Sequence, residues 1–215
     1  DVYNLEPHQL QLGFLKLLKG SKIRREAHLH GYVFRDYPPY EILSNKYISF
    51  DDIAELKGVE EFVERYYNTG RFAGTLKYIV DKLYHSYPYI FYRDFYRYNS
   101  GRGYMRRPVA LNRLYDIIFD FVRDKFSQAD IDAVNELLKF DFLSCDKSGS
   151  LPANITRTQP NGFKETCFDF LRNEKNIQTY LPAFAGETPK NIYKYVHFEL
   201  FTLDVSDYLK DGSIK

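Results

Sequence analysis

The sequence predicts a mostly helical protein with a small β component, which is an α+β fold. From Ser49 onward the apolar residues recur at three- and four-residue spacing, the period of an amphipathic helix. Before residue 49 and near the end of the chain they alternate along the sequence, as they do in strands. A content of 44% apolar and 27% charged residues is ordinary for a folded globular chain, and the 20 Tyr and 18 Phe are expected to build its core and rim.

The first 48 residues are predicted to form a segment of short elements. Leu10, Leu12 and Phe14 alternate along a predicted buried strand, although a helix is also compatible with this run. The strand leads into Lys16-Leu17-Leu18 and then into Lys19-Gly20-Ser21, where glycine and serine favour a turn.

A short amphipathic helix over residues 22–30 is predicted to follow this turn. It is expected to end at Gly31, because glycine adopts the left-handed conformation of a helix C-terminus without steric cost. Residues 32–34 and 40–43 are predicted to be short strands. Pro38-Pro39 between them disfavours a helix and forces a corner.

Residues 49–215 are predicted to form a helical domain. Its first helix begins at Ser49, and Asp52 follows at the spacing of a capping box. The two helices that follow residue 110 are joined by a short connection, so they are expected to pack as an antiparallel hairpin. Helices are predicted over residues 49–67, 72–84, 87–98, 111–122, 127–138 and 163–171, with a loop over 144–162.

A strand near residues 192–204 is predicted to close the helical domain. Ile192, Val196, Phe198 and Leu200 share one face at a period of two, and such a strand needs a hydrogen-bonding partner. We expect it to pair with the early strands. Backbone hydrogen bonds of Tyr195 that go elsewhere would contradict this pairing.

Neither catalytic residues nor metal ligands are predicted. The sequence has no GxSxG, phosphate-binding glycine loop or GxGxxG, and Cys145 and Cys167 belong to no metal-binding pattern. His28 and His30 lie two apart on a predicted helix, so they do not form the i, i+4 pair of zinc enzymes. Basic and acidic residues number 30 and 29, and no apolar run approaches the ~20 residues of a membrane span, so the composition predicts binding to neither membranes nor nucleic acid.

The strongest local signal for binding is RDFYRYNSGRGYMRR over residues 93–107. Its five arginines and one aspartate give a formal local charge of +4, and tyrosines lie between the arginines. Such a segment can grip a phosphate, a carboxylate or a nucleic-acid strand. The alternative is an exposed helix end whose arginine stems cover aromatic rings. The candidate substrate- or phosphate-binding residues are Arg93, Arg97, Arg102, Arg106 and Arg107.

Three parts of the sequence resemble one known family. They are PHQLQLGFLKLLKGSKIRREAHLHGYVFRDYPPYEILSNKYISFDDI from Pro7 to Ile53, RFAGTL after the first long helix, and the closing HFELFTLDVSDYL. The pattern resembles the segment after the core of cobalamin-binding radical SAM proteins, and more closely their subgroup with a C-terminal domain of unknown function. The resemblance implies that residues 1–48 are the last strand–helix element of a barrel and that 49–215 are a helical C-terminal domain.

The resemblance also implies a cytoplasmic polypeptide in which N-terminal cobalamin-binding and radical SAM domains precede this chain. It implies SAM, a 4Fe–4S cluster and cobalamin as cofactors of that polypeptide, and it places Lys16, Leu17 and Leu18 near the adenine side of SAM. Lys19-Gly20-Ser21 takes the place of a Pro-Gly-Thr-like turn and differs from it at the first and third positions. Because CxxxCxxC and DxHxxG are absent, this chain alone is expected to hold no cofactor and to be catalytically inert.

Two functions follow as hypotheses. In the first, the chain is a substrate-side or structural domain that caps the barrel mouth, shapes the pocket for an unknown substrate or holds a partner. In the second, it is a stand-alone module that binds RNA or a phosphorylated ligand through the arginine and tyrosine patch. Salt-dependent RNA binding that is lost on Arg102→Ala and Arg106→Ala would favour the second hypothesis.

Overall fold

A computed structural model of the chain describes residues 2–104, 109–145, 151–157 and 159–208. It confirms a mostly helical fold with a small antiparallel sheet. The chain divides into two compact units, one of Asp1–Ile155 with Val205–Lys215 and the other of Thr156–Asp204. The predicted boundary between residues 48 and 49 rests on the change of apolar period and on the family resemblance, and it stays a prediction. In the described part of the chain, no helix combines the length and the apolar content that crossing a membrane requires.

The helices and strands predicted for residues 22–43 are confirmed, with the helix divided into two turns. Ser21 caps the first turn, because its hydroxyl accepts a hydrogen bond from the Arg24 N–H at 3.3 Å. Gly31 ends the second turn with a positive φ of 63°. The two strands pair with each other in the antiparallel sense. These elements are α1 (Lys22–Arg25), α2 (Ala27–His30), β1 (Val33–Phe34) and β2 (Ile42–Ser44).

The strand predicted at residues 10–14 is replaced by a short pairing a few residues later. Leu17 donates its N–H to the Tyr40 carbonyl at 2.8 Å, and Ile42 donates its N–H to the Leu15 carbonyl at 2.9 Å. Leu17 is fully buried and packs with Ile42 in a small core. The alternation of apolar residues is therefore real, but backbone pairing begins only at residue 15.

The long helices of the first unit follow the predicted order. Ser49 accepts a hydrogen bond from the Asp52 N–H at 3.1 Å, and the Asp52 carboxylate accepts from the Ser49 N–H at 3.0 Å, which confirms the capping box. The first two long helices each continue into a π-helical turn, over Val63–Tyr67 and Ile79–Leu83. The helices are α3 (Phe50–Phe62), α4 (Ala73–Tyr78), α5 (Pro88–Ser100), α6 (Leu111–Lys125) and α7 (Gln128–Cys145).

Aromatic rings fill the core of the first unit, as the composition predicts. Tyr115 of α6 contacts Phe142 of α7, and their ring centroids are 5.2 Å apart. Since Tyr115 lies near the start of α6 and Phe142 near the end of α7, this contact confirms the antiparallel hairpin. The fully buried rings include those of Tyr66, Phe72, Phe91, Tyr92, Phe95, Tyr115, Phe121 and Phe142.

The N-terminal residues pack along the helices instead of forming a strand. The Asn68 side-chain oxygen accepts the Leu10 N–H at 2.8 Å, and the Asn68 side-chain nitrogen donates to the Leu10 carbonyl at 3.1 Å. Nearby, the Tyr67 hydroxyl donates to the Pro7 carbonyl at 2.7 Å, and the ring of Tyr3 lies 5.2 Å from that of Tyr67. One amide side chain thus takes the place of a neighbouring strand for Leu10.

Replacing Asn68 by alanine is expected to lower the free energy of unfolding by about 1–2 kcal/mol, because two backbone groups of Leu10 lose their partner. The amide of Leu10 should also exchange its hydrogen faster. Urea unfolding and hydrogen-exchange NMR measure the two effects. Asn191→Ala is the control, because Asn191 makes an exposed hydrogen bond to Glu187. Unchanged hydrogen exchange at Leu10 in Asn68→Ala would show that the two hydrogen bonds from Asn68 do not hold the N-terminal residues in place.

The second unit, Thr156–Asp204, has a small core of its own. Leu171, Ile177 and Ile192 are buried together. The rings of Phe168 and Tyr193 stack with centroids 4.8 Å apart. The helices of this unit are α8 (Phe163–Arg172), α9 (Glu174–Tyr180) and α10 (Pro189–Ile192).

The strand predicted near residues 192–204 is wrong. The Tyr195 N–H donates to the Ile192 carbonyl at 2.9 Å, which closes a turn and leaves no ladder to the early strands. The physical reason is local: Pro189, pre-set for the first turn of a helix, starts α10, which runs to Ile192. The apolar residues after α10, such as Phe198, are covered by packing on the core of their own unit.

Candidate functional site

The arginine segment lies on α5 and on the turn after it. Each of its described arginines has a carboxylate within ion-pair distance. Asp94 is already counted in the local charge of +4, so Glu55 and Asp124 offset two of those four charges. Two members of the predicted set, Arg106 and Arg107, lie outside the described residues. The described pairs are Arg93–Asp94 at 3.4 Å, Arg97–Glu55 at 2.6 Å and Arg102–Asp124 at 3.4 Å.

A row of carboxylates on α6 includes the partner of Arg102. Asp116, Asp120 and Asp124 are four residues apart and therefore lie on one face of the helix. Arg123 also joins the row, with its Nη1 atom 2.9 Å from Asp120. These carboxylates are not among the site residues predicted from the sequence. Their spacing is visible in the sequence, whereas the contact of Asp124 with Arg102 depends on the fold.

A small cleft of about 120 Å³ lies where the end of α5 meets α6. The guanidinium carbon of Arg102 is 3.6 Å from the centre of the Tyr98 ring, a cation–π contact. The Tyr98 hydroxyl donates to Asp124. We call this feature the α5–α6 cleft; its lining consists of Asn99, Arg102, Tyr104, Asp120, Arg123 and Asp124, together with Tyr98.

The hydrogen bond between Tyr98 and Asp124 fixes the charge states on one side of the cleft. The bond donated by Tyr98 lowers the pKa of Asp124, so this carboxylate is ionised at neutral pH. Burial, followed by the hydrogen bond to Asp124, raises the pKa of Tyr98 to about 12, so this hydroxyl keeps its proton. The cleft therefore presents fixed cations and anions side by side.

The residues predicted to lie beside SAM are at the edge of the small N-terminal sheet. Lys16 stands opposite Glu41 in the short pairing. Leu17 is fully buried, whereas Leu18 is 53% exposed. Of these three residues, Lys16 and Leu18 are exposed to solvent. In the turn that follows, Gly20 has a positive φ of 83°, which glycine adopts without strain.

A separate ionic cluster lies inside the second unit. The Glu199 side chain is 4% exposed, and its carboxylate is 2.6 Å from Arg157 Nη2 and 3.1 Å from His197 Nε2. Burial alone would raise the pKa of Glu199, but the hydrogen bonds from Arg157 and His197 outweigh it, and the pKa is lowered. This arrangement neutralises a buried carboxylate and holds residues 157 and 199 together.

Within the described residues, no group of three or more His, Cys, Asp and Glu side chains is placed to hold a metal ion. The fold and the site together define a mostly helical domain with a polar, charge-balanced cleft. A family model described as "Protein of unknown function (DUF4080)" matches residues 28–215, and the chain belongs to this family. Neither a search of curated proteins nor a search of solved structures found a match.

Proposed function

We propose that this chain is the C-terminal substrate-side or structural domain of a cytoplasmic, cobalamin-binding radical SAM enzyme and is catalytically inert by itself. In this proposal, the N-terminal domains of the same polypeptide hold SAM, the 4Fe–4S cluster and cobalamin. The resemblance of residues 7–53 and of the closing segment supports the proposal. The family membership of residues 28–215 supports only the part of the proposal that names a domain of unknown function.

An open backbone edge at Lys16 is the structural observation that carries the proposal. The Leu15 carbonyl and the Leu17 N–H are bonded to residues 40–42 on one side. Hydrogen bonds alternate in direction along an antiparallel pair, so the N–H and C=O of Lys16 point to the other side. Among the described residues, neither of these two Lys16 groups has a hydrogen-bond partner. Such an edge is a template for a further strand, as in a barrel.

Exposed apolar side chains in the same segment also support a neighbouring domain that covers them. Leu15, Leu18, Leu29 and Val33 are 38%, 53%, 59% and 54% exposed. Single exposed apolar residues are normal, but several within a short segment that also has an open edge are typical of an interface. A barrel that bonds to Lys16 would also cover Leu15 and Leu18.

Iron, sulfide and cobalt contents test the proposal. They are measured for this chain and for the longer polypeptide that the proposal requires, after identical anaerobic reconstitution with cobalamin. We expect all three in the longer polypeptide and none in this chain. A longer polypeptide without metal would remove the radical chemistry, and a cluster bound by this chain alone would contradict its inert role.

The role of the open edge can be isolated with Lys16→Pro. Proline removes the backbone N–H of residue 16, which has no partner among the residues that the structure describes. The free energy of unfolding of the chain should therefore change by less than about 1 kcal/mol. In the longer polypeptide the same change removes a strand-to-strand bond and should cost about 1–3 kcal/mol. Thermal unfolding of both proteins measures the difference. Lys16→Gln is the control, because it alters the side chain and keeps the N–H; equal effects of the two variants would contradict strand pairing at Lys16.

The RNA- or phospholigand-binding module stays a prediction. Its described arginines are paired with carboxylates, and no contact within the described residues favours this function over an enzyme domain. Retention on RNA that falls with salt and is lost on Arg102→Ala and Arg106→Ala remains its test.

A further inference from the structure

The carboxylates around the open edge at Lys16 are already paired with other cations. Glu41, which stands opposite Lys16, forms its ion pair with Lys57 of α3. The two other carboxylates within residues 14–48 are paired in the same way, and these pairs are Glu26–Lys22 and Asp36–Arg24. None of the three carboxylates is therefore left to balance further positive charge at the edge.

Three exposed cations at this edge have no such partner. Lys16, Lys19 and Arg25 are exposed, and within the part of the chain that the structure describes no carboxylate forms an ion pair with them. The guanidinium of Arg25 lies at the turn after the strand, where its Nη1 donates to the Gly20 carbonyl at 2.6 Å. The ammonium group of Lys19 lies 5.9 Å from the centre of the Tyr40 ring. Accessible positive charge therefore lies beside the free N–H and C=O of Lys16.

The backbone and side chains of this edge together select the kind of partner. An extended polypeptide supplies both a carbonyl and an N–H to a strand edge, whereas the phosphates of a nucleic acid supply acceptors alone. Leu15 and Leu18, which are 38% and 53% exposed, would be covered by apolar side chains of an added strand. A second copy of this chain would bring Lys16 and Lys19 close to their own counterparts, and like charges on paired strands repel.

We propose that the edge at Lys16 binds an extended acidic segment as an added β-strand. A Glu or Asp side chain of that segment lies beside Lys16, and its apolar side chains cover Leu15 and Leu18. Main-chain hydrogen bonds hold the strand, while its carboxylates distinguish it from other strands. The segment belongs to the N-terminal domains of the same polypeptide, and this assignment rests on the proposed function.

Two peptides of equal length test the preference for acidic strands. Both are acetylated and amidated at their ends; one is TVEVEVT and the other is TVKVKVT. In NMR titrations of the ¹⁵N-labelled chain at low salt, the acidic peptide should shift the backbone amides of residues 15–18 with a dissociation constant of about 1 mM. The basic peptide should bind at least about tenfold more weakly. Added salt should reduce this difference, because it screens exposed charges.

A charge reversal ties the preference to the edge. Lys16→Glu should weaken binding of the acidic peptide about tenfold or more and should strengthen binding of the basic peptide. A gain for the basic peptide cannot come from a damaged fold. Lys46→Glu is the matched control, because it makes the same change of charge at an exposed residue beyond β2, where the Lys46 N–H donates to the His30 carbonyl at 3.4 Å. It should leave the preference for the acidic peptide in place.

The remaining outcomes separate this inference from the proposed function. No shift up to about 10 mM, equal binding of the two peptides, or tighter binding of a uridine heptanucleotide would overturn the acidic strand. Shifts at residues 15–18 that grow with protein concentration alone would show that a second copy occupies the edge instead. A metal-free longer polypeptide would remove the proposed enzyme, yet a preference for the acidic peptide would still stand as a property of this edge.

Discussion

Replacing Asp141 by alanine is expected to lower the free energy of unfolding by about 2–4 kcal/mol at pH 7. Asp141 lies on α7 and is 5% exposed. Its carboxylate accepts hydrogen bonds from the Gly74 N–H at 3.1 Å and from the Thr75 N–H at 2.9 Å. These N–H groups begin α4 and have no partner within the helix. Alanine would leave both N–H donors buried and without a partner. It would also remove the hydrogen bonds that join the start of α4 to α7.

Urea unfolding of the variant measures this effect. Asp132→Ala is the matched control, because Asp132 lies on the same helix but is exposed and bonded to Gln128 at 2.7 Å. It should change the free energy of unfolding by less than about 0.5 kcal/mol. Equal losses in the two variants would mean that helix-wide effects, and not the bonds to Gly74 and Thr75, hold α4 in place.

The contribution of Asp141 should also depend on pH in a defined direction. Burial raises the pKa of Asp141 from 3.8 to about 6, against the opposing effect of the hydrogen bonds from Thr75 and Gly74. Between these two values the folded chain holds a proton that the unfolded chain has lost. Stability from this group is therefore complete below about pH 4 and declines as the pH rises through about 6, by roughly 3 kcal/mol in total.

Asp141→Asn isolates this pH dependence, because asparagine keeps the shape and cannot titrate. The loss of stability relative to the parent should be larger at pH 4.5 than at pH 7, and the difference between the two proteins cancels the titration of all other carboxylates. A loss that is constant across this window would show that Asp141 is ionised in the folded chain throughout.

The parts of the fold that the sequence predicts correctly are those set by residues close together in the chain. The capping box of Ser49 and Asp52 and the end of α2 at Gly31 each depend on residues a few positions apart, and both are confirmed. The prediction of a terminal strand was wrong because alternation of apolar residues is not sufficient for a strand. A strand also needs a neighbouring strand with which its backbone can form hydrogen bonds. Pro189 started a helical turn there instead, and ring packing covered the apolar residues.

The arginines of the site were predicted from the sequence, but their carboxylate partners were not, because these ion pairs join residues far apart in the chain. The clustering of arginines over residues 93–107 is visible in the sequence. Their carboxylate partners are not, since Arg97 meets Glu55 across 42 residues and Arg102 meets Asp124 across 22.

Replacing Gly58 by alanine is expected to lower the free energy of unfolding by about 1–3 kcal/mol, although alanine favours helices over glycine by up to about 1 kcal/mol. Gly58 is a buried position of α3, and a Cβ atom there would overlap the ring of Tyr96 on α5. The ring itself packs on Phe62, with centroids 6.4 Å apart, so it cannot move away without losing contacts. Either the ring or the two helices must shift.

A second substitution decides whether this overlap is the cause. In a Tyr96→Ala background the ring is gone, so Gly58→Ala should become neutral or stabilising by up to about 1 kcal/mol, as helix propensity alone predicts. Gly101→Ala is the control, because a Cβ atom there meets nothing within 4 Å and the backbone is right-handed at φ −77°. A double-mutant cycle by urea unfolding measures the reversal of sign. If Gly58→Ala is equally destabilising in both backgrounds, glycine is required for the backbone of α3 itself, and the close approach of α3 to α5 at Tyr96 is not what selects it.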